Sequence, residues 1–158
     1  MTTDRQMIGR LEQRDDAPPV HCFPVQVYWE DTDAGGIVYY ANYLKFIERA
    51  RTDMLCGLGI HQQQMMMEEQ LNFVVRDCHI DYLQPARMDD TLDVETSLSE
   101  IKGATMRLKQ TVLKQGEILV KSDIRIACLQ KNGRPARFSP QIKTKFSSLI
   151  YSSGATTK

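Results

Sequence analysis

Residues 26–43 read QVYWEDTDAGGIVYYANY and connect one predicted element to the next. Residues 23–30 alternate between two sets of side chains, which is typical of a half-buried strand. The run DTDAGG at 31–36 is rich in turn-forming residues and predicts a loop. Asn42 is a candidate N-cap for a helix that begins directly after the loop. The stretch therefore predicts a strand, a loop and a helix N-terminus in close succession.

A long amphipathic helix is predicted after this loop. Its apolar side chains recur at helical spacing, at Tyr43, Phe46, Ile47, Ala50 and Met54. Polar side chains are expected on the rest of its surface, at Lys45, Glu48, Arg49, Thr52 and Asp53. Glycines at positions 57 and 59 predict its end.

Downstream of the helix, the period of the pattern changes from helical to alternating. Residues 61–69 predict a short second helix, and alternation then runs from residue 71 to residue 128. Pro85 and the turns at 102–103 and 115–116 divide this region into four strands with short connections. Together with the first strand, they predict an α+β fold in which one five-stranded antiparallel sheet wraps one central helix.

The length and charge of the chain limit what it does. Its 158 residues suit one domain with one core. We expect a polar, flexible leader at 1–20, a folded domain at 21–150 and a disordered tail at 151–158. Lys+Arg and Asp+Glu both number 20, and this zero net charge argues against a nucleic-acid binder.

Cysteines, histidines and hydropathy predict a cytoplasmic protein without a metal site. No apolar stretch approaches the ~20 residues of a membrane span, and residues 1–19 lack the apolar centre of a signal peptide. No two cysteines have the spacing of a metal site, so four mostly buried thiols are expected, at Cys22, Cys56, Cys78 and Cys128. The histidines are isolated, and we expect surface or strand residues at His21, His61 and His79.

Acidic residues, glycines and a helix N-terminus come together at residues 31–42. Glycines let a backbone approach a ligand, and a helix N-terminus offers free N–H groups with positive dipole character. A carboxylate that faces such donors can hydrolyse an ester or a thioester. A turn in which Asp31 or Asp33 caps the backbone explains the same residues. A calcium loop does not fit, because Gly35 and Asn42 occupy two of its ligand positions.

Residues 27–39, 48–55, 73–82 and 85–90 resemble the 4-hydroxybenzoyl-CoA thioesterase family, most closely its branch associated with the Tol-Pal system. The resemblance extends over about residues 23–140 and implies the hot-dog fold. It also implies hydrolysis of an acyl-CoA to a free acid and CoA, without a metal or a further cofactor. The resemblance also implies a homodimer that pairs into a tetramer. It is compatible with peripheral association with acyl carrier protein or the inner membrane.

The resemblance assigns roles to particular residues of the loop. It implies that Asp33 is the catalytic carboxylate, acting as nucleophile or as general base, and that Gly36 and Val38 lie beside the substrate. The N–H that polarises the substrate carbonyl falls at Tyr40, where the family usually has His or Phe. A phenol with a pKa near ~10 is a poorer base at neutral pH than an imidazole, whereas a backbone N–H acts whatever the side chain.

Several other side chains have two interpretations each. Glu48 is either a second carboxylate near the substrate or a solvated, ion-paired residue beside Arg49 and Arg51. The three methionines at 65–67 either line an acyl pocket or pack into the core. Lys102 and Arg134 are candidates for binding the phosphates of CoA, which need local cations.

A function of another class fits the same sequence. A non-catalytic module that binds acyl-CoA or acyl carrier protein would use Asp33 only as a turn residue. A hot-dog dehydratase fits less well, because no histidine lies in a matching segment.

Overall fold

The computed structural model describes residues 6–150, and the tail predicted at 151–158 lies outside them. The elements of the described chain are β1 (Arg10–Arg14), β2 (Ala17–Gln26), α1 (Asn42–Gly57), α2 (Gln62–Glu69), β3 (Leu71–Tyr82), β4 (Thr91–Lys102), β5 (Thr105–Lys114), β6 (Glu117–Gln130) and α3 (Pro140–Ile150). One turn of 3-10 helix at Trp29–Asp31 lies between β2 and α1.

All the strands belong to one antiparallel sheet, in the order β1-β2-β4-β5-β6-β3. The α+β class predicted from the sequence is therefore confirmed. Strands β4, β5 and β6 follow one another through tight turns, whereas β3 crosses to the far edge beyond β6. Strands β1 and β3 form the two edges.

Helix α1 forms the centre of the core. The apolar side chains predicted on one face, Tyr43, Phe46, Ile47, Ala50 and Met54, are all buried. Alternate side chains of the sheet meet this helix, because successive residues of a strand point to opposite faces. A buried amide joins the two layers: Gln110 of β5 donates to the Ile47 carbonyl, 2.9 Å away, and to Thr96 Oγ1, 2.9 Å away.

The sheet has six strands rather than the five predicted, because the predicted leader forms strands from residue 10 onward. Strand β1 pairs with the first half of β2, with Arg10 opposite Cys22 and Glu12 opposite Val20. The expectation of a flexible segment was therefore wrong from residue 10 onward. An edge strand keeps many side chains in water, so its sequence is as polar as that of a mobile leader. Arg14 anchors it through Glu95 of β4, at 2.8 Å.

Three local predictions near α1 also need correction. Strand β2 ends at Gln26 rather than at residue 30, because the chain turns into the 3-10 helix there. The N-cap of α1 is Ala41, and the Asn42 side chain instead donates to the Asp31 carbonyl, 2.9 Å away. Asp53, predicted on the polar surface of the helix, is fully buried.

Helix α3, which the sequence patterns did not predict, covers one end of the sheet. It packs against β2 and β4 and contributes buried apolar side chains, among them Ile142 and Phe146. The rings of Phe138 and Phe146 lie 6.4 Å apart. Between residues 6 and 150, no helix combines the length and hydropathy that a membrane crossing requires.

Candidate active site

The loop between β2 and α1 is closed by backbone hydrogen bonds. The Asp33 N–H donates to the Ile37 carbonyl, 2.9 Å away, and the Gly36 N–H donates to the Asp33 carbonyl, 3.0 Å away. Gly36 has a φ of +81°, in the left-handed region that favours glycine. Thr32 and Val38 form a β-bridge beyond this turn. The loop is thus a small, well-defined hairpin rather than a flexible connection.

The carboxylate of Asp33 stands exposed at the tip of this hairpin. Its Oδ1 accepts a hydrogen bond from the Gly35 N–H, 2.8 Å away. Its Oδ2 has no hydrogen-bond partner within residues 6–150. One oxygen therefore orients the group and the other is free, which suits both a nucleophile and a base for water.

Tyr40 stands immediately before the N-terminus of α1. Its backbone N–H has no acceptor within the described chain, and its side chain is exposed. The Tyr39 N–H donates to the Asp31 carbonyl, 2.9 Å away, which also accepts from Asn42 Nδ2. The start of the helix is therefore tied to the acidic loop. A free N–H at the positive end of a helix can stabilise a developing oxyanion.

The segment between β3 and β4 is joined to the β2–α1 loop by backbone hydrogen bonds. The Val38 N–H donates to the Ala86 carbonyl, 2.8 Å away, and Ile37 forms a β-bridge with Arg87. Asp90 accepts from the Arg87 N–H and pairs with Lys114 at 2.9 Å. Although burial alone would raise it, the pKa of Asp90 lies below its ordinary value because of these two partners. The ionised Asp90 carboxylate therefore stabilises the segment between β3 and β4.

Four tyrosine rings cluster at the N-terminus of α1. The ring of Tyr40 lies 5.1 Å from that of Tyr39 and 5.7 Å from that of Tyr82. The Tyr82 ring also lies 5.7 Å from that of Tyr43, whose hydroxyl accepts from the Ala86 N–H at 2.9 Å. Burial raises the pKa of both Tyr43 and Tyr82, so these two phenols stay neutral at physiological pH.

The structure brings together only some of the residues predicted from the sequence. Asp33, Gly36 and Tyr40 share the loop, but the side chain of Val38 is buried and its N–H is already used. Lys102 and Arg134 lie at the opposite end of the sheet. Strand β4 leads away from the loop over twelve residues, or about 36 Å at ~3.3 Å per residue.

Backbone hydrogen bonds in the loops explain why Lys102 and Arg134 lie far from Asp33. The Val27 N–H donates to the Asp90 carbonyl, next to the start of β4, whereas Lys102 ends that strand. Arg134 lies in the loop after β6. Further along this loop, the Phe138 N–H donates to the Gly103 carbonyl. Within a single chain, neither side chain reaches Asp33. Their binding to CoA stays a prediction that needs a second copy of the chain.

A buried hydrogen bond between β2 and α1 is the polar feature that the sequence patterns missed. His21 Nε2 lies 2.8 Å from Asp53 Oδ2, and both side chains are fully buried. The same carboxylate accepts from the Ile8 N–H at 2.7 Å and from the Gly9 N–H at 2.8 Å. His21 is a strand residue, as predicted, but it is not isolated. Its spacing of 32 residues from Asp53 offers no local signal.

Arg51 makes a contact that the sequence patterns did not predict. Its guanidinium is half-buried, and its Nη1 donates to Gln110 Oε1, 3.0 Å away. Burial lowers its pKa from the ordinary value, and the Glu48 charge opposes that change. Its spacing of four residues from the buried Ile47 is the one signal that hinted at this position.

Cysteine burial follows the prediction for most of the thiols. Cys22, Cys56 and Cys128 are buried and Cys78 is exposed. Within residues 6–150, no three His, Cys, Asp or Glu side chains come close enough to hold a metal ion.

Comparison with known proteins agrees with the fold. Residues 27–146 match the family described as the thioesterase-like superfamily. "Acyl-CoA thioesterase YbgC" of Haemophilus influenzae is 46% identical over 125 residues, which cover 78% of this chain and 92% of that protein. "Acyl-CoA thioester hydrolase YbgC" of Escherichia coli O157:H7 is 37% identical, over 78% of this chain and 89% of that protein.

Solved structures show the same arrangement of sheet and helix. A probable thioesterase from Bartonella henselae superposes with a TM-score of 0.73 at 34% identity, over 76% of this chain and 99% of that chain. A 1,4-dihydroxy-2-naphthoyl-CoA thioesterase from Synechocystis, 18% identical, shares the fold with a TM-score of 0.77, over 84% of this chain and 99% of that chain. The chain therefore belongs to the thioesterase-like superfamily and has its hot-dog fold.

Proposed function

We propose that the protein hydrolyses the thioester of an acyl-CoA to a free carboxylic acid and CoA. The observation that carries this proposal is that the segment between β2 and α1 contains both a free Asp33 oxygen and the free Tyr40 N–H. The names of the relatives from Haemophilus influenzae and Escherichia coli agree with an acyl-CoA substrate. No cofactor beyond the CoA of the substrate is needed for this reaction.

The proposed chemistry uses these two groups in sequence. The thioester carbonyl oxygen accepts from the Tyr40 N–H, at the positive end of α1, so that negative charge is stabilised as it develops. Asp33 then takes a proton from a water molecule while the water oxygen attacks the carbonyl carbon. The tetrahedral intermediate collapses, the C–S bond breaks, and CoA leaves as a thiolate that takes up the proton.

A nucleophilic role for Asp33 gives the same products. The carboxylate attacks the carbonyl carbon and expels the CoA thiolate, which leaves an anhydride that water hydrolyses. The exposed position of Asp33 favours neither route over the other. The phenol of Tyr40 has no assigned part in either route, since its backbone N–H supplies the hydrogen bond.

We further propose that the working unit is a homodimer, with pairing into a tetramer. Strand β3 has β6 on one side only and presents twelve residues along an open sheet edge. An open edge of this length pairs readily with another strand. A second copy would also bring basic residues such as Lys102 or Arg134 toward the phosphates of CoA. A cytoplasmic location is proposed from the cysteine usage and hydropathy of the sequence. Contact with acyl carrier protein or the inner membrane is proposed from the family resemblance only.

Asp33→Asn tests the proposed chemistry. The variant keeps an oxygen to accept from the Gly35 N–H but has no carboxylate to attack or to take a proton. We expect kcat for acyl-CoA hydrolysis to fall by roughly 10²–10⁴-fold, measured by release of free CoA thiol.

Asp89→Asn is the matched control for this experiment. Asp89 is exposed near the same loop and has a φ of +69°, which Asn also tolerates. Its hydrolysis rate should equal that of the wild type. If Asp33→Asn hydrolyses acyl-CoA at the wild-type rate, the role proposed for Asp33 is wrong. If the wild type binds acyl-CoA without cleaving it, the protein is a binding module of the same fold.

A further inference from the structure

The side chain of Asn42 connects the start of α1 to the acidic loop. Asn42 Nδ2 donates to the Asp31 carbonyl oxygen over 2.9 Å, in a half-buried position. Asparagine is one of the residues that cap helices most often, yet α1 has no side-chain cap at its N-terminus. The Asn42 amide therefore bonds the loop instead of the helix N-terminus, and the Tyr40 N–H stays free for a ligand.

The Asp31 carbonyl is a fixed point on the loop side. The Asp31 N–H donates to the Tyr28 carbonyl, 3.0 Å away, and Asp31 Oδ2 accepts from the Tyr28 N–H at 2.8 Å. The next residue adds two more bonds, because the Thr32 N–H and Thr32 Oγ1 both donate to the Trp29 carbonyl, at 3.1 Å and 2.9 Å. A donor that binds the Asp31 carbonyl is therefore held in place by the loop.

The first turn of α1 is held loosely by its own backbone. The Tyr43 N–H donates to the Tyr40 carbonyl over 3.4 Å, and the Leu44 N–H donates to the Ala41 carbonyl over 3.2 Å. Ordinary N–H···O hydrogen bonds have donor–acceptor distances of about 2.9–3.0 Å. The helix by itself therefore fixes the orientation of the Tyr40 peptide only weakly.

Asn42 makes shorter bonds than these. Its backbone N–H donates to the Tyr39 carbonyl at 2.8 Å, and its side chain donates to Asp31 at 2.9 Å. Asn42 follows Tyr40 by two residues, and Asp31 precedes Asp33 by two residues. The bond between Asn42 and Asp31 thus joins the chain beside the free N–H to the chain beside the free carboxylate oxygen.

The fold of this region does not depend on the Asn42 amide. The Asp31 carbonyl also accepts from the Tyr39 N–H at 2.9 Å, which closes the hairpin. The buried Tyr43 hydroxyl accepts from the Ala86 N–H at 2.9 Å, which anchors the helix. What the amide adds is the position of the helix start relative to the loop.

We propose that Asn42 is a positioning residue, whose side-chain amide sets the distance between the Asp33 carboxylate and the Tyr40 N–H. This assignment rests on the proposed function, in which those two groups act on the same thioester carbonyl. Asn42 acts through them and touches no reacting atom. Since misplacement by about 1 Å can reduce a rate by ~10²-fold, its effect falls on kcat rather than on the affinity for CoA.

Asn42→Ala tests this assignment, with butyryl-CoA, palmitoyl-CoA and benzoyl-CoA as substrates. Alanine is the best helix former, so the variant removes the amide without weakening the helix. We expect kcat to fall by roughly 10- to 100-fold on every substrate that the wild type cleaves. The Kd of S-butyl-CoA should stay at the wild-type value, because this thioether has no carbonyl to accept from the Tyr40 N–H.

Two further variants separate position from stability. Ser99→Ala is the matched control, because Ser99 Oγ also donates to a backbone carbonyl, that of Arg107, 3.1 Å away and far along β4. It should keep the wild-type kcat, and its urea unfolding midpoint should resemble that of Asn42→Ala. Asn42→Gln keeps an amide donor and should recover part of the kcat that Asn42→Ala loses.

The outcomes distinguish this assignment from the proposed function. If the wild type cleaves acyl-CoA and Asn42→Ala has the same kcat, the positioning role is overturned and the proposed function stands. If Asn42→Ala is less stable than Ser99→Ala, and Asn42→Gln restores stability without any kcat, the role of Asn42 is structural and the assignment is again overturned. If the wild type cleaves none of the three substrates, the proposed function is wrong and the positioning role falls with it.

Discussion

Two backbone features decide what Asp33 can do. Its side chain is oriented by the Gly35 N–H, and its loop closes through the Gly36 N–H. Both bonds depend on a turn that only glycine adopts easily, at a φ of +81° for Gly36. A side chain at Gly36 would meet no atom within 4 Å, so any cost of substitution there is conformational rather than steric. The position of the carboxylate therefore follows from backbone conformation.

Gly36→Ala is expected to reduce both stability and activity. A left-handed alanine costs about 1–2 kcal/mol in the free energy of unfolding, and relief of that strain would displace Asp33. Since misplacement by about 1 Å can reduce a rate by ~10²-fold, we expect kcat/KM to fall by roughly 10- to 100-fold. Urea unfolding and acyl-CoA hydrolysis measure the two effects.

Gly116→Ala provides the comparison at a distance from the site. Gly116 lies in the β5–β6 turn with a φ of +83°, and a side chain there also meets no atom within 4 Å. It should lose similar stability and no activity. Equal losses of activity in the two variants would show that the conformation of Gly36 has no special part in positioning Asp33.

At the scale of elements, Asp53 joins three parts of the chain in one buried cluster. Helix α1 provides its carboxylate, β2 provides His21, and the segment before β1 provides the N–H groups of Ile8 and Gly9. A side chain at Gly9 would collide with the Cys22 carbonyl, so this segment packs closely on β2. Because His21 Nδ1 is buried without a hydrogen-bond partner, a neutral imidazole that donates from Nε2 satisfies the cluster best.

The buried His21 predicts a pH dependence of stability. Burial lowers the pKa of His21, and the neighbouring Asp53 opposes this effect. An unfolded imidazole has a pKa near ~6.5, so below that pH the unfolded chain binds a proton that the folded chain does not. The free energy of unfolding should therefore decrease as the pH falls from 7.5 to 5.5, by up to about 1.4 kcal/mol per pH unit.

Urea unfolding of His21→Gln over the same range checks this assignment. Glutamine can still donate to Asp53 but does not titrate, so most of the slope should disappear. His79→Gln serves as the comparison, because the His79 side chain is 74% exposed and lies outside the buried cluster. Identical slopes for His21→Gln and the wild type would contradict the prediction.

At the scale of the whole molecule, the two edges of the sheet differ. Strand β1 is short and carries the charged Arg10, Glu12 and Arg14, which protect an edge from further pairing. Strand β3 is long and exposes Val75, and the residues after it expose Leu83. The proposed homodimer therefore uses the β3 edge rather than the β1 edge.

Arg76→Pro tests which edge pairs. Arg76 is the bulged residue of β3 and has no register partner on β6, so the inner ladder tolerates proline there. Proline has no N–H to donate and bends the strand, so β3 should pair poorly with a second copy of the chain. By light scattering, we expect the wild type at a multiple of the 18.1 kDa chain and Arg76→Pro at the mass of the monomer.

Arg76→Ala removes the same side chain and keeps the backbone donor, so it should retain the wild-type mass. The assignment of the β3 edge is refuted if Arg76→Pro is folded and assembles like the wild type. Loss of assembly in Arg76→Ala as well would instead assign the effect to the charge of the side chain.

The sequence by itself determined the features that depend on near neighbours. Helix α1 and its buried face followed from a spacing of three and four residues, and the acidic loop followed from its glycines. The tight turns between β4, β5 and β6 were equally local. These predictions succeeded because hydrophobic periodicity and turn geometry are set within a few residues.

Only the tertiary structure decided the features that join distant residues. Strand β1 was mistaken for a leader, because an edge strand and a mobile segment have the same polar composition. Asp53 was assigned to the surface, because its partners His21 and Gly9 lie more than 30 residues away. A cavity beside Arg51 takes its walls from α1, β3, β5 and β6. Such contacts form only when chain folding brings the elements together, so no local pattern in the sequence encodes them.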